Sequence, residues 1–309
     1  MNTATHTMMS EGEAEASLAK ASAWWSTAII RIEPGEISVR GYPIQDLIGE
    51  LRFPEMIWLM VRGELPAPAE AELFEAALVA AVDHGPHAPS IAISRMAVTC
   101  GLPLNGAMAS AINVLDDVHG GAGQQCMELY ADIAHEAGDG VAQQPHVEIV
   151  LDRFAAGHGE IVPGFGHRFH PVDPRAVKLL AMVDAACNAK AVSGRFAHIG
   201  RLVEQVLAER KGRQIPMNID GATAVIFSEL GFQPPLGRGI FILSRAVGIL
   251  AHAWEQGQVQ ARIKGPMPPS IPYRYDGVAE RRLAPRGNAQ APSDLPEPNL
   301  PARTQPGRS

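Results

Sequence analysis

Apolar positions along most of this chain recur every three or four residues, the spacing of one helix face. Phe53, Ile57 and Met60 follow it, and residues 69–82 repeat it with Leu73, Ala76, Ala77 and Ala80. Residues 195–210 carry Ile199, Leu202, Val203, Val206 and Leu207, and residues 238–255 carry Ile240, Leu243, Val247, Leu250 and Trp254. The same spacing, broken by Gly and Pro, predicts further helices over 43–49, 90–101, 106–118, 124–136, 146–156, 175–189 and 222–230. Pro234-Pro235 reads as a turn before the longest of them. A strand signal stands in one place: STAIIRIE and EISVRGY flank Pro34-Gly35 and predict a hairpin. The predicted class is all-α with a small β-hairpin near the N-terminus. Residues 1–23 are small and polar and are expected to be a flexible N-terminus. Residues 281–309 are rich in Pro and poor in apolar groups and are expected to form a disordered tail.

Composition narrows the class. With 309 residues and 46% hydrophobic content, the chain can build a sizeable core in one large domain or two modest ones. Its net charge of −7 argues against a nucleic-acid partner. No apolar run reaches the roughly 20 residues of a membrane span, and the first residues lack an apolar signal core. Three Cys (Cys100, Cys126 and Cys187) with no metal or redox spacing fit a reducing compartment. A cytoplasmic protein with no membrane partner is therefore expected. None of the 11 His forms a close ligand spacing, so a metal site is not expected.

Chemistry concentrates where the helical pattern breaks. Residues 162–176, VPGFGHRFHPVDPRA, hold two His, two Arg, three Pro and two Gly. Gly164 and Gly166 release the backbone before His167 and Arg168. Asp173-Pro174 then reads as an N-cap and first helical residue, with Arg175 on the first turn. An imidazole beside guanidinium groups suits a carbonyl substrate bearing carboxylates. The bland alternative is a Pro-rich connector whose His and Arg face water. Asp83-His84-Gly85-Pro86 ends one predicted helix, and Asp116-Asp117-Val118-His119-Gly120-Gly121 ends another, where His119 is alternatively an incidental residue at a helix C-cap. Asp220 follows an apolar pair in KGRQIPMNID and is alternatively a plain N-cap for 222–230. Arg245 falls inside an apolar helix, where a charge needs a partner.

The order and content of these junctions resemble the citrate synthase family. The motifs are GFGHR with DPRA, HGGA, RGYPIQDL, GELP, and a string of Ser244, Arg245, Ala246, Gly248, Ala251, His252, Glu255 and Gln256, spanning about 26–277. DHGP at 83–86 and NIDG at 218–221 look like the citryl-CoA lyase module of ATP-citrate lyase. Three departures stand out: Gly123 where the family often has Asn, a His167–Arg175 gap one residue shorter than in many bacterial members, and Arg262-Ile263-Lys264-Gly265-Pro266 where an Arg-Pro pair often stands.

The resemblance implies a helical homodimer. Its large domain would combine 24–121 with 225–280, and a small domain over 122–224 would close on it. It implies formation or cleavage of the C–C bond between an acyl-CoA (acetyl-CoA) and a 2-oxo acid (oxaloacetate), or cleavage of citryl-CoA. By matching motifs, Asp220 would move the α-proton, His119 would hold the enol oxygen, and His167 would serve the ketone or alkoxide. His84, Arg175 and Arg245 would hold substrate carboxylates, with Arg262 or Lys264 reaching the partner subunit's site and Arg168 facing CoA phosphate. CoA would enter as a thioester substrate, with no tightly bound cofactor. An inactive member that binds CoA or regulates is the competing expectation; it should lack one of the three acid–base residues.

Overall fold

The computed structural model describes residues 11–166, 171–265, 267–268 and 270–282. His167 and Arg168 lie outside the described residues, as do residues 283–309 of the expected tail. Twelve helices and one three-stranded antiparallel sheet make up the described residues. The chain divides into two compact units, Met1–Glu75 and Ala76–Ser309.

The first unit holds α1 (Glu11–Trp24), β1 (Ile30–Glu33), β2 (Glu36–Val39), β3 (Tyr42–Pro43), α2 (Ile44–Leu47) and α3 (Phe53–Arg62), and α4 (Pro68–Ala81) crosses its end. The predicted hairpin is present: Glu33 pairs with Glu36, so Pro34-Gly35 is a two-residue turn. β3 adds a short third strand that the sequence pattern does not signal. Val39, Leu47 and Leu59 form a small core. In α3 the Glu55 carboxylate accepts the Arg52 backbone N–H at 2.8 Å, satisfying one of the unpaired amides at the helix start. Where the sequence reads an irregular N-terminus, residues 11–24 form α1, which buries no side chain. Its Ala, Glu and Lys content carries strong intrinsic helix preference.

The second unit holds α5 (Pro89–Thr99), α6 (Leu104–Ile112), α7 (Ala122–Glu136), α8 (Gln144–His158), α9 (Pro174–Asn188), α10 (Arg195–Lys211), α11 (Ile219–Glu229) and α12 (Pro234–Gly257). α11 is a central element: every residue from Gly221 to Phe227 is buried, and the helix packs on α7, α9 and α10. α12 packs on α5, α6 and α7, where Ile249 joins Ile91, Ala111 and Leu115 in one apolar cluster.

Four boundaries differ from the periodicity, each for a local reason. α6 stops at Ile112, so His119 stands in a loop closed by the Asp116 N–H on the His119 carbonyl (2.9 Å), not at a helix C-cap. α11 starts at Ile219, so Asp220 lies inside its first turn, and Asn218 is the cap. Pro234 and Pro235 occupy the first positions of α12 and open the helix, because proline's fixed φ and missing donor suit that place. The apolar stripe of α12 splits: Ile240 is buried, whereas Leu243, Val247, Leu250 and Trp254 are exposed and Ser244 and Arg245 are buried instead. By length and composition α12 is also able to cross a membrane. Here it packs on α5, α6, α7 and α11, and Arg245 is buried.

Candidate active site

Two loops from distant parts of the chain meet backbone to backbone. The Asn218 N–H donates to the Gly164 carbonyl (2.9 Å) and the Gly166 N–H to the Pro216 carbonyl (2.7 Å). Asn218 Nδ2 also donates to the Gly166 carbonyl at 2.7 Å, while Asn218 Oδ1 accepts the amides of Asp220 and Gly221. The approach demands glycine on both sides. A Cβ on Gly221 would sit 2.4 Å from the Gly164 oxygen, and one on Gly164 would meet Cys126 Sγ at 2.6 Å. This contact sets the backbone of residues 164–166 against the turn that carries Asp220.

Asp220 is half-buried at the second position of α11. Because Asn218 takes the capping bonds, the Asp220 carboxylate is not needed for capping. Burial pushes that carboxyl above its ordinary range; Arg245 and Arg175 pull it down and Asp173 adds to the rise. Arg245 is 6% exposed, donates from Nε to the Ala81 carbonyl (3.1 Å) and lies over the Phe241 ring. Its charge, lowered by burial, is supported by Asp220 and Asp83. Arg175 is half-buried and is held by both oxygens of Asp173, Nε to Oδ1 at 3.0 Å and Nη2 to Oδ2 at 2.9 Å.

His119 is oriented from the start of α5. The Ser90 N–H donates to His119 Nε2 at 3.1 Å, and the Ser90 hydroxyl lies 3.0 Å from the same nitrogen. An N–H can only donate, so Nε2 is unprotonated and a neutral ring carries its proton on Nδ1. Burial, then the Arg245 charge, hold this imidazole below its ordinary pKa. The loop before it is anchored by Arg238, which donates to Asp116 at 2.7 Å and also bonds Asp117.

His84 is exposed on the loop after α4. Beside it, Asp83 accepts the Gly85 N–H (3.1 Å) and His252 Nε2 (3.3 Å), and Arg95 reaches His252 Nδ1 (3.2 Å). Burial opposes the Asp83 charge, but these bonds outweigh it and keep the carboxyl below its usual range. The structure thus gathers Asp220, Arg175, Arg245 and His119 into one electrostatically linked set. Arg262 and Lys264 are exposed, and residues 263–264 bond to Thr99, at the opposite end of α5 from Ser90. Those ends are about 14 Å apart at the rise of an α-helix. Ser90, Arg95 and Arg238 were not signalled by sequence, and Asp83, Asn218 and His252 stood in recognised motifs without their distant partners being announced, since those contacts join residues far apart along the chain.

A cavity of about 320 Å³ lies beside the 162–166 loop, lined by Val162, Phe165, Gly166 and Ile215, with Arg213 and the Lys211–Glu160 ion pair also on its wall. Among the described residues no cluster of His, Cys, Asp and Glu offers a metal site.

The family model "Citrate synthase, C-terminal domain" matches residues 19–78 and 66–266. A citrate synthase of Haloferax volcanii is 35% identical over 200 residues, 64% of this chain and 49% of that protein. A citrate synthase of Acidithiobacillus ferridurans is 31% identical over 230 residues, 73% of this chain and 55% of that protein. The chain spans about half the length of these curated relatives. The structure of citryl-CoA lyase from Hydrogenobacter thermophilus superposes with a TM-score of 0.72 at 29% identity, covering 84% of this chain and 97% of that one. A family model that covers most of the chain, and the motif residues that its fold gathers around Asp220 and Arg245, place this chain in the citrate synthase family.

Proposed function

We propose that this chain cleaves citryl-CoA to acetyl-CoA and oxaloacetate, with the reverse condensation available through the same residues. The observation that carries this direction is the match to citryl-CoA lyase over nearly the whole of that chain. Cleavage needs Asp220 to deliver a proton, and burial raises its carboxyl in the direction that eases this delivery. His167 takes the hydroxyl proton of citryl-CoA as the C–C bond breaks and the ketone of oxaloacetate forms. The electron pair moves into the thioester, and its oxygen accepts a hydrogen bond from the neutral His119, whose Nδ1 carries the proton. Asp220 delivers its proton to the carbon and completes acetyl-CoA. Solvent then returns the proton from His167 to Asp220. Arg175, Arg245 and His84 hold the substrate carboxylates, and Arg168 faces CoA phosphate. The cavity beside residues 162–166 is read as a place for the nucleotide end of CoA, where Arg213 on its wall would meet phosphate and Lys211 is shared with Glu160.

The site is read as a closing cleft of a homodimer, with 122–224 moving against 24–121 and 225–280. Self-association is supported by the outward stripe of α12, since four large apolar side chains on one face favour a partner. Arg262 or Lys264 would then serve the partner subunit's site. The free thiols Cys100, Cys126 and Cys187 suit the cytoplasm.

The synthase direction is the second reading, favoured by the identity to citrate synthases. One assay separates them. The purified protein is given citryl-CoA, and separately acetyl-CoA with oxaloacetate, while CoA, citrate and acetyl-CoA are followed. Acetyl-CoA and oxaloacetate from citryl-CoA without net citrate support the lyase. Free CoA and citrate from the second pair support the synthase. CoA binding without either reaction supports the inactive member and overturns both.

A further inference from the structure

Asp173 is 1% exposed, yet it carries a charge among described residues that are otherwise mostly apolar at such depth. Each of its oxygens is used twice. Oδ1 accepts the Arg175 backbone N–H and Arg175 Nε, both at 3.0 Å. Oδ2 accepts Arg175 Nη2 at 2.9 Å and the Ile219 N–H at 3.1 Å. An N-cap carboxylate ordinarily serves one helix. Here one group caps α9, takes the first amide of α11, and orients a guanidinium. The Ile219 amide is one residue from Asp220, so the bond that fixes it also fixes the start of the turn that presents Asp220.

We propose that Asp173 is a positioning residue that ties the Arg175 guanidinium and the Asp220 turn to one shared carboxylate. The proposal rests on the roles given above to Arg175 and Asp220. Its consequence is that the carboxylate clamp and the proton-transfer group keep a fixed relation without touching each other. Asparagine cannot replace it. The amide has one acceptor oxygen; with that oxygen kept in the Oδ1 place, where it caps α9, the NH₂ takes the Oδ2 place and faces both Arg175 Nη2 and the Ile219 N–H, two donors. One arm of the clamp is therefore lost in Asp173→Asn while a cap remains for α9. The native carboxyl stays ionised: burial opposes its charge, but the bonds from Arg175 and Ile219 outweigh it and hold it below its ordinary range.

The pH behaviour gives a readout that a merely structural role would not move. The groups linked electrostatically to Asp220 are Cys126 on α7, Asp173 and Arg175 at the start of α9, and Arg245 on α12; beside them, Tyr130 on α7 meets the Gly221 carbonyl and Glu204 on α10 the Met217 amide. Asp173→Asn removes one negative neighbour and leaves Arg175 unneutralised, and both changes favour the ionised Asp220. The Asp220 limb of the rate profile therefore moves to lower pH, by roughly one unit. In condensation this is the acid limb, and in cleavage the alkaline limb.

The test compares the wild-type chain, Asp173→Asn, Arg175→Gln and the double variant. Amide exchange over 216–221, read by mass spectrometry, needs no activity. It should accelerate roughly tenfold in Asp173→Asn, as for loss of a charge-assisted hydrogen bond, with α12 unchanged. In turnover of citryl-CoA, or of acetyl-CoA with oxaloacetate, each single variant should lower kcat/KM, and the double variant should fall little below the worse single one. Unchanged exchange in Asp173→Asn, losses that multiply in the double variant, or a limb that stays in place would each overturn the proposal. If the wild type turns over neither substrate set, the reaction assignment fails, and the exchange result still decides the coupling. If Asp173→Asn does not fold, Arg175→Gln decides it: faster exchange at 219–221 supports the shared carboxylate, and native exchange there overturns it.

Discussion

At the scale of single residues, the most informative position is Asp220. Asn218 already caps α11, so Asp220→Asn leaves the cap intact and removes only the proton carrier. Turnover should fall by roughly 10²–10⁴-fold in either direction, as is typical for a lost proton-transfer group. CoA-ester binding should change little, and steady-state kinetics with a direct binding measurement would separate the two. Stability should move the other way. The folded-state pKa of Asp220 is raised, so the unfolded chain releases the proton first and stability declines as pH climbs from the ordinary carboxyl value of 3.8 through the raised one. Above that window the full penalty remains. Asp220→Asn should therefore melt higher than the wild type at pH 7, roughly 2–4 °C per kcal/mol relieved, and the gain should vanish below pH 3.8. A melting temperature that drops at pH 7 would count against the buried carboxylate as described. Asp173 has the opposite sign: its lowered pKa stabilises the fold above the ordinary carboxyl range, and that contribution is lost as pH falls through its folded-state value.

At the scale of elements, the two loop contacts and the two faces of α12 make separable predictions. Gly221→Ala places a Cβ 2.4 Å from the Gly164 oxygen, a backbone atom that cannot step aside. Overpacking of this kind costs about 1–3 kcal/mol, and it pushes the 164–166 backbone away from the turn that carries Asp220, so melting temperature and turnover should fall together. Gly123→Ala is the matched control. Its Cβ meets nothing within 4 Å, so thermal scans should show it neutral or more stable, by up to about 1 kcal/mol. On α12, Val247 is 58% and Trp254 59% exposed in the isolated chain. Val247→Asp should leave the buried side of the helix unchanged and weaken self-association at least tenfold. Light scattering across micromolar concentrations reads the result. A wild-type chain that stays monomeric there would remove the homodimer.

At the scale of the whole molecule, the direction of reaction is a property of the assembled site and of its access to water, and so of more than any one side chain. The chain matches citrate synthases over half their length and citryl-CoA lyase over nearly all of its length. The expected outcome is cleavage of citryl-CoA with no net citrate from acetyl-CoA and oxaloacetate. Product analysis checks it, and stoichiometric citrate with free CoA would reverse the assignment.

Periodicity alone determined most helices, because burying one face of a helix imposes a spacing of three to four apolar residues that local sequence must display. The Pro34-Gly35 hairpin was legible from two runs of strand-favouring residues on either side of a turn pair. Motifs marked His84, His119, His167, Arg175, Asp220 and Arg245 as a set, since chemistry-bearing residues interrupt the helical pattern where backbone must bend. Distant partners were not legible. Nothing near Asp173 announces that Ile219 shares its carboxylate, nothing near His119 announces Ser90, and nothing near Asp116-Asp117 announces Arg238. The facing of α12 was decided by tertiary structure as well. A stripe of Leu243, Val247, Leu250 and Trp254 satisfies the core pattern, but Arg245 can meet the Ala81 carbonyl and the charge of Asp220 only if its own side turns inward. Sequence records which faces are apolar; only the packed chain decides which of them its own helices cover, because a buried charge must be satisfied and an exposed apolar stripe need not be.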